Sequence, residues 1–260
     1  MPIVISGKLI IPYGSASIRS EVLERLSCSA VEDLERPGAP VAVIDPNAGQ
    51  PLRFNSILHP FTLPPVAQDL AHAESQLMFL ENHLARLCGE WAKPRELLIN
   101  RYFAAVRSQV RANERSLAER AEALSGLVEL DHWCFSALLP LPRAHLLCTW
   151  PNTKVACQAS DFVPVDAAFW TGHDLAAVIV DDGSTPTGQR KRGLERLRDS
   201  GAQLITVDKA ELNASGGTQL LHLLGERFAD FLNEQSLPVS PFRGREIDPP
   251  LLQSGANFTV

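Results

Sequence analysis

Three acidic residues and a basic cluster are the parts of this sequence best suited to chemistry. Asp166 lies inside an apolar run, VPVDAAFW, and Asp181 and Asp182 close a second one, LAAVIVDD, just before Gly183. If the two runs are neighbouring strands, their carboxylates converge at the strand ends. Two or three such oxygens hold Mg²⁺ or Mn²⁺ and leave open positions for water and a phosphodiester. Lys191 follows on the next segment, placed to orient an attacking water or neutralise developing charge. With Arg190 and Arg192 it forms the cationic patch that a phosphate substrate needs.

The segment resembles the PD-(D/E)XK (restriction-endonuclease-like) nuclease superfamily, in particular its Vsr-like and repair-type branch, over roughly residues 127–212. An acid in a strand (VDAAFW) precedes a hydrophobic strand ending in acid and glycine (LAAVIVDDG), then a charged helix and a further strand. The resemblance implies a metal-dependent nuclease acting on DNA. Asp166 and Asp181 would bind Mg²⁺ or Mn²⁺, with Asp182 as an alternative ligand. Lys191 would stabilise the attacking hydroxide. Glu129, in ELDHWCFSALLPLP, would match the glutamate of the family's first core helix and assist through the metal or a water. The sequence departs from the pattern in mid-strand, where Ile179 or Val180 stands in place of the usual glutamate, and the segment contains no ExK dyad. Either Asp181 replaces that acid and Lys191 supplies the lysine, or the domain is catalytically inactive and serves as a scaffold or DNA-binding subunit.

Two other accounts fit the same residues. A hydrophobic strand, an acidic pair and GSTPTG before a helix is similar to the pyrophosphate loop of phosphoribosyltransferases. There Asp181 and Asp182 would contact ribose hydroxyls, and the backbone of Thr185 to Gly188 would cradle a phosphate. Alternatively, DDGSTPTG is an ordinary strand-to-helix turn whose residues suit turn and cap geometry.

The elements that must position these groups follow from periodicity and turn signals. Residues 3–12 and 41–54 predict β-hairpins around Ser6-Gly7 and Asp45-Pro46-Asn47. Leu70, Leu77, Leu80, Leu84 and Leu87 predict a helix from Val66 to about Glu90, and a second helical stretch runs from Pro94 to about residue 126. Arg101, Arg107, Arg111, Arg115 and Arg120 give the second stretch a basic side. The C-terminal half predicts a helix over 127–139, strands over 145–149, 162–170 and 175–181, a helix over 189–200 and a strand over 203–207. A turn at 213–217 and an amphipathic helix over 220–233 follow. Helix, adjacent strands, crossover helix and further strand indicate one mixed sheet flanked by helices, an α/β unit within a chain that is α+β overall. The expected domains are a β-rich region (1–64), a helical region (65–126), the nuclease-like unit (127–235) and an extended, proline-rich tail (236–260).

Composition narrows the functional classes. The 260 residues carry 24 Lys and Arg against 30 Asp and Glu, a net charge of −6, so binding by bulk positive charge is excluded and a DNA contact would be local. A protein partner or homo-oligomer is expected through the N-terminal helices. No run reaches the roughly 18 apolar residues of a membrane span, and the N-terminus lacks signal-peptide character, so a cytoplasmic location is expected. The five cysteines show no CxxC spacing and are expected to be buried thiols. His132 and His145 lack zinc-ligand spacing, no serine sits in a GxSxG elbow, and Gln189 stands where a Walker loop needs lysine. His173-Asp174 is expected to be a hydrogen-bonding turn.

Overall fold

The computed structural model describes residues 4–5, 8–14, 41–56, 72–89, 93–123, 128–147, 162–183, 188–214 and 218–233. The architecture is mixed α/β, with helices packed on three small sheets. The first sheet begins with the expected hairpin, β1 (Val4–Ile5) against β2 (Lys8–Pro12). The second expected hairpin does not form. β3 (Val41–Ile44) pairs antiparallel with β2, and Asp45 to Gly49 caps a 3-10 turn over Pro46–Ala48. The chain then runs on to Leu52 and Phe54, which bond to the backbone of residues 137–139 instead of folding back on β3. The local turn signal was sound, but long-range partners supplied the hydrogen bonds that every buried strand requires.

Three helices follow: α1 (Ala73–Leu87), α2 (Lys93–Ala112) and α3 (Glu114–Ala123). α2 is the spine of the core. Its Tyr102 and Phe103 are fully buried, Phe54 stacks on Phe103 at 4.5 Å, and Tyr102 meets Phe169 edge-on at 5.2 Å. The Tyr102 hydroxyl donates to the Leu138 carbonyl at 2.9 Å, which satisfies the one polar atom that burial would otherwise penalise. The expected helix over 127–139 is reduced to a 3-10 turn, Leu130–Ser136, whose Trp133, Cys134 and Phe135 are buried. One hydrophobic core runs without a break from Leu9 to Leu232.

The site rests on a bent antiparallel ladder. β4 (Leu141–Pro142) and β5 (His145–Leu147) lie on one side of it, and β6 (Phe162–Pro164) and β7 (Ala167–Trp170) on the other. What the sequence suggests as one strand over 162–170 is therefore two, in register with each other but interrupted at Val165-Asp166. Arg143 N–H still donates to Asp166 O, and Val165 N–H to Ala144 O, across the interruption. The bend is made at Arg143, whose φ of 49° is left-handed, a conformation that costs a residue with a Cβ free energy. Beyond it, β7 pairs antiparallel with β8 (Leu175–Asp181), which pairs in parallel with β9 (Gln203–Asp208) through the crossover helix α4 (Gly188–Asp199). Six of the seven β8 residues are buried, as its apolar run requires of a central strand.

After β9 come α5 (Lys209–Ala214) and α6 (Thr218–Leu224). α5 occupies part of the expected turn at 213–217. The expected helix over 220–233 continues past α6 only as two 3-10 turns, Glu226–Phe228 and Asp230–Asn233. The tail from 236 to 260 lies outside the described residues.

Helix α4 approaches β6 closely at Gly193, where a Cβ would lie 2.9 Å from Val163 Cγ2. Replacing Gly193 with Val should destabilise the protein by about 2 kcal/mol, since overpacking outweighs the gain in helix propensity. Urea unfolding checks this, with a lower midpoint and an unchanged slope expected.

Candidate functional site

Asp166 is only 4% exposed, and both of its carboxylate oxygens are engaged. Arg95 Nε, from the first turn of α2, donates to Oδ1 at 2.5 Å. The Val180 N–H donates to Oδ2 at 2.8 Å, and an Arg190 amino group from the first turn of α4 stands 3.5 Å from the same oxygen. The backbone explains the Val180 contact. The β7–β8 pairing ends at Ala167 opposite Val178, so the next donor along β8 has no strand carbonyl to face. The Asp166 side chain takes that carbonyl's place. A carboxylate is buried stably only with such pairing and hydrogen bonding.

Arg143 stands across the ladder, where its backbone N–H donates to the Asp166 carbonyl. Its Nη1 donates to the Cys88 carbonyl at 3.0 Å, past Gly89, where a Cβ would collide with that nitrogen. Burial first, and then the Arg95 charge, hold Arg143 below the ordinary arginine value, partly offset by Cys88 and Asp166. Burial pushes the Cys88 thiol up to about 12, so it is a packed thiol that donates to Leu84 O and not a nucleophile. Cys134 is also buried and pushed up to about 12, while Cys28, Cys148 and Cys157 fall outside the described residues.

The remaining sequence-predicted site residues are placed as follows. Asp181, at the exposed end of β8, turns its Oδ1 back to accept the Gly183 N–H at 2.9 Å, a turn-forming contact. Asp182 is exposed beside it. Lys191 and Arg192 are exposed on α4, and the Arg192 Nε donates to the Gly188 carbonyl. Glu129 is held elsewhere, at the N-terminus of α1. It accepts the Ala73 N–H at 3.0 Å and pairs with His72 at 3.5 Å. The Ala73 hydrogen bond is the main reason its carboxyl titrates below the usual glutamate range. Residues 184–187 of the phosphate-loop alternative lie outside the described residues. Asp174 bonds Thr171 and pairs with Arg227, as a turn residue does.

The arrangement brings Asp166 and Arg190 together and adds two residues that sequence reasoning missed, Arg95 and Arg143. No signal near Asp166 points to Arg95, which arrives from 71 residues away. As placed, these residues do not form an oxygen cage for Mg²⁺ or Mn²⁺. Asp166 faces two guanidiniums, which oppose a divalent cation, and Asp181 is committed to its turn. Among the described residues, no group of three or more His, Cys, Asp or Glu is placed to share a metal ion. Comparison with family models finds no match, and neither curated proteins nor solved structures yield a significant one. No described helix is long and apolar enough to cross a membrane.

Two substitutions test this geometry. Asp166→Ala should cost about 3 kcal/mol, because it strands two partly buried guanidiniums and the Val180 N–H. Glu129→Ala should cost only about 0.5 kcal/mol, a helix-end contact at a half-exposed site. Because the folded-state value of Glu129 is lowered, its contribution is present above the ordinary glutamate value and is lost as pH falls through the lowered one. Thermal unfolding from pH 7 to pH 3 should show the difference between parent and Glu129→Ala shrinking toward zero.

Proposed function

We propose that this chain carries, over about residues 127–235, a restriction-endonuclease-like domain without hydrolytic activity, which binds DNA through the exposed cations of α4. The order of its C-terminal elements supports the fold: antiparallel strands, a crossover helix and a parallel strand, with an acid beside the central strand. The observation that carries the loss of activity is Asp166. The acid that the resemblance assigns to a metal is instead paired with Arg95 and Arg190 and bonded to the Val180 N–H. A hydrolytic metal centre needs carboxylate oxygens turned toward the ion, and a guanidinium within hydrogen-bonding distance competes for them directly.

DNA is the favoured ligand because of how charge is distributed on α4. Lys191, Arg192, Arg196 and Arg198 are all exposed, against Glu195 and Asp199 on the same helix. The basic side of α2 and α3 is a weaker candidate. Arg107 pairs with Glu81 at 2.7 Å, Arg115 with Glu119 at 3.1 Å, and Arg120 bonds the Leu232 carbonyl and lies over the Trp133 ring. The guanidiniums of Arg107 and Arg120 serve the fold, and the exposed charge of Arg115 is met by Glu119.

The purified chain, incubated with plasmid and linear DNA in Mg²⁺ or Mn²⁺, should leave both intact while retarding them in a gel. Binding should weaken with salt on a log–log slope steeper than about −2, at roughly 0.9 per neutralised phosphate. Lys191→Gln combined with Arg192→Gln should reduce that slope. Metal-dependent cleavage abolished by Asp166→Asn would overturn the proposal.

A further inference from the structure

A cavity of about 610 Å³ opens between the α2–α3 junction and the segment that runs from α6 through the two 3-10 turns, and it shares no lining residue with the Asp166 site. Its walls are fixed by the core. Phe228 is fully buried, with its ring edge-on to Phe169 at 4.9 Å and to Tyr102 at 6.4 Å, and Arg120 donates to the Leu232 carbonyl. The turns after α6 are thereby pinned against α2 and α3. Buried Leu117, Leu221 and Leu232 give the cavity an apolar floor. Asn113 beside them spends its Nδ2 on the Gln109 carbonyl, which leaves its amide oxygen as an acceptor. A preformed cleft of this size, with an apolar floor and a few polar groups, is the usual form of a small-molecule site.

Charge on the wall selects the ligand. Glu226 and Asp230 both line the cavity, four residues apart and exposed, and among the described residues neither carboxylate meets a hydrogen-bond donor or a cation. Arg120 is the only arginine or lysine among the described lining residues, and it is turned to the Leu232 carbonyl and lies over the Trp133 ring at 5.5 Å. A phosphate or carboxylate ligand would face two like charges here. No Phe, Tyr or Trp is among the described lining residues, so a nucleobase has no ring to stack on. No three His, Cys, Asp or Glu side chains among the described residues are placed to share a metal ion. An aliphatic chain bearing ammonium groups answers both halves of the wall, with methylenes on the leucines and N–H donors toward the carboxylates.

We propose that this cavity binds an aliphatic polyamine, its ammonium groups held by Glu226, Asp230 and the Asn113 amide oxygen and its methylenes laid on Leu117, Leu221 and Leu232. The site is separate from the DNA reading, because none of its residues lies on α4.

The test uses the full chain without DNA, with spermidine as the probe and butylamine and magnesium chloride as comparators at one ionic strength. Spermidine should raise the melting temperature saturably and beyond either comparator, and titration calorimetry should give a single site. Glu226→Gln combined with Asp230→Asn should weaken spermidine binding about tenfold. Without ligand that double variant should melt as the parent does, because both side chains are exposed and unpaired in the described structure. Ser116→Trp, at an exposed position of α3 that lines the cavity, keeps both carboxylates and should weaken binding by a similar factor through lost space. Glu114→Gln removes an exposed acid of α3 that does not line the cavity and should leave binding unchanged. A spermidine effect no larger than that of magnesium chloride overturns the proposal, as does parental affinity in the double variant. Parental affinity in Ser116→Trp, or a loss in Glu114→Gln equal to that in the double variant, also overturns it, because diffuse attraction to an acidic surface then accounts for the binding.

Discussion

The carboxylate of Asp166 is the contact on which the C-terminal half of the molecule depends. Stripped of partners, a carboxylate this deeply buried would cost several kcal/mol. Here it answers three needs at once. It supplies the acceptor that β8 loses where β7 bends away, it anchors the first turn of α2 to the sheet, and it draws the first turn of α4 to the same point. The bend at Arg143 and the interruption at Val165-Asp166 follow from this arrangement, because a straight ladder would leave no room for the side chain to turn back on its neighbour.

Charge is distributed accordingly. The chain is acidic overall, with a net charge of −6, yet its arginines fall into two groups by structural role. Those on α2 and α3 are largely committed to Glu81, Glu119, Trp133 and backbone carbonyls, and the part-buried contacts of Arg107 and Arg120 are less sensitive to salt than the exposed Arg115–Glu119 pair. On α4 Arg190 turns in to Asp166, whereas Arg192, Arg196 and Arg198 are exposed; among its described side chains only Leu197 is fully buried, and the helix approaches the sheet closely at Gly193 and Val163. A locally cationic surface on a net acidic body is what electrostatic steering of an anionic partner requires.

Much of the fold could be read from local pattern, and the parts that could not share one physical cause. β8, α4 and β9 were legible because an apolar run, a turn cluster, a charged helix and a second apolar strand carry their signals within themselves. The hairpin expected over 41–54 failed because β3 and the following segment take separate, distant partners that no local turn can specify. The 3-10 turn over 130–136 looks helical in composition, but its aromatic residues pack in every direction and not on one face. At the site, Asp166 and Arg190 were marked by type and context. Arg95 resembles any helix-surface arginine until the fold carries it across to Asp166. Glu129 was marked by the resemblance alone, and its position at the α1 N-terminus reflects a capping preference that operates between segments.

The parallel pairing of β8 with β9 has a consequence for how the molecule assembles. Parallel strands cannot meet through a tight turn, so closing their ladder encloses the whole crossover through α4, and the ion pair from Arg95 joins residues 71 positions apart. The entropy of closing such loops is paid before any of these contacts can repay it, which slows the search for the native topology. The arginine cluster therefore exists only after the chain has committed to its final topology. Any nascent or partly unfolded form lacks the arginine pairing that buries the Asp166 carboxylate.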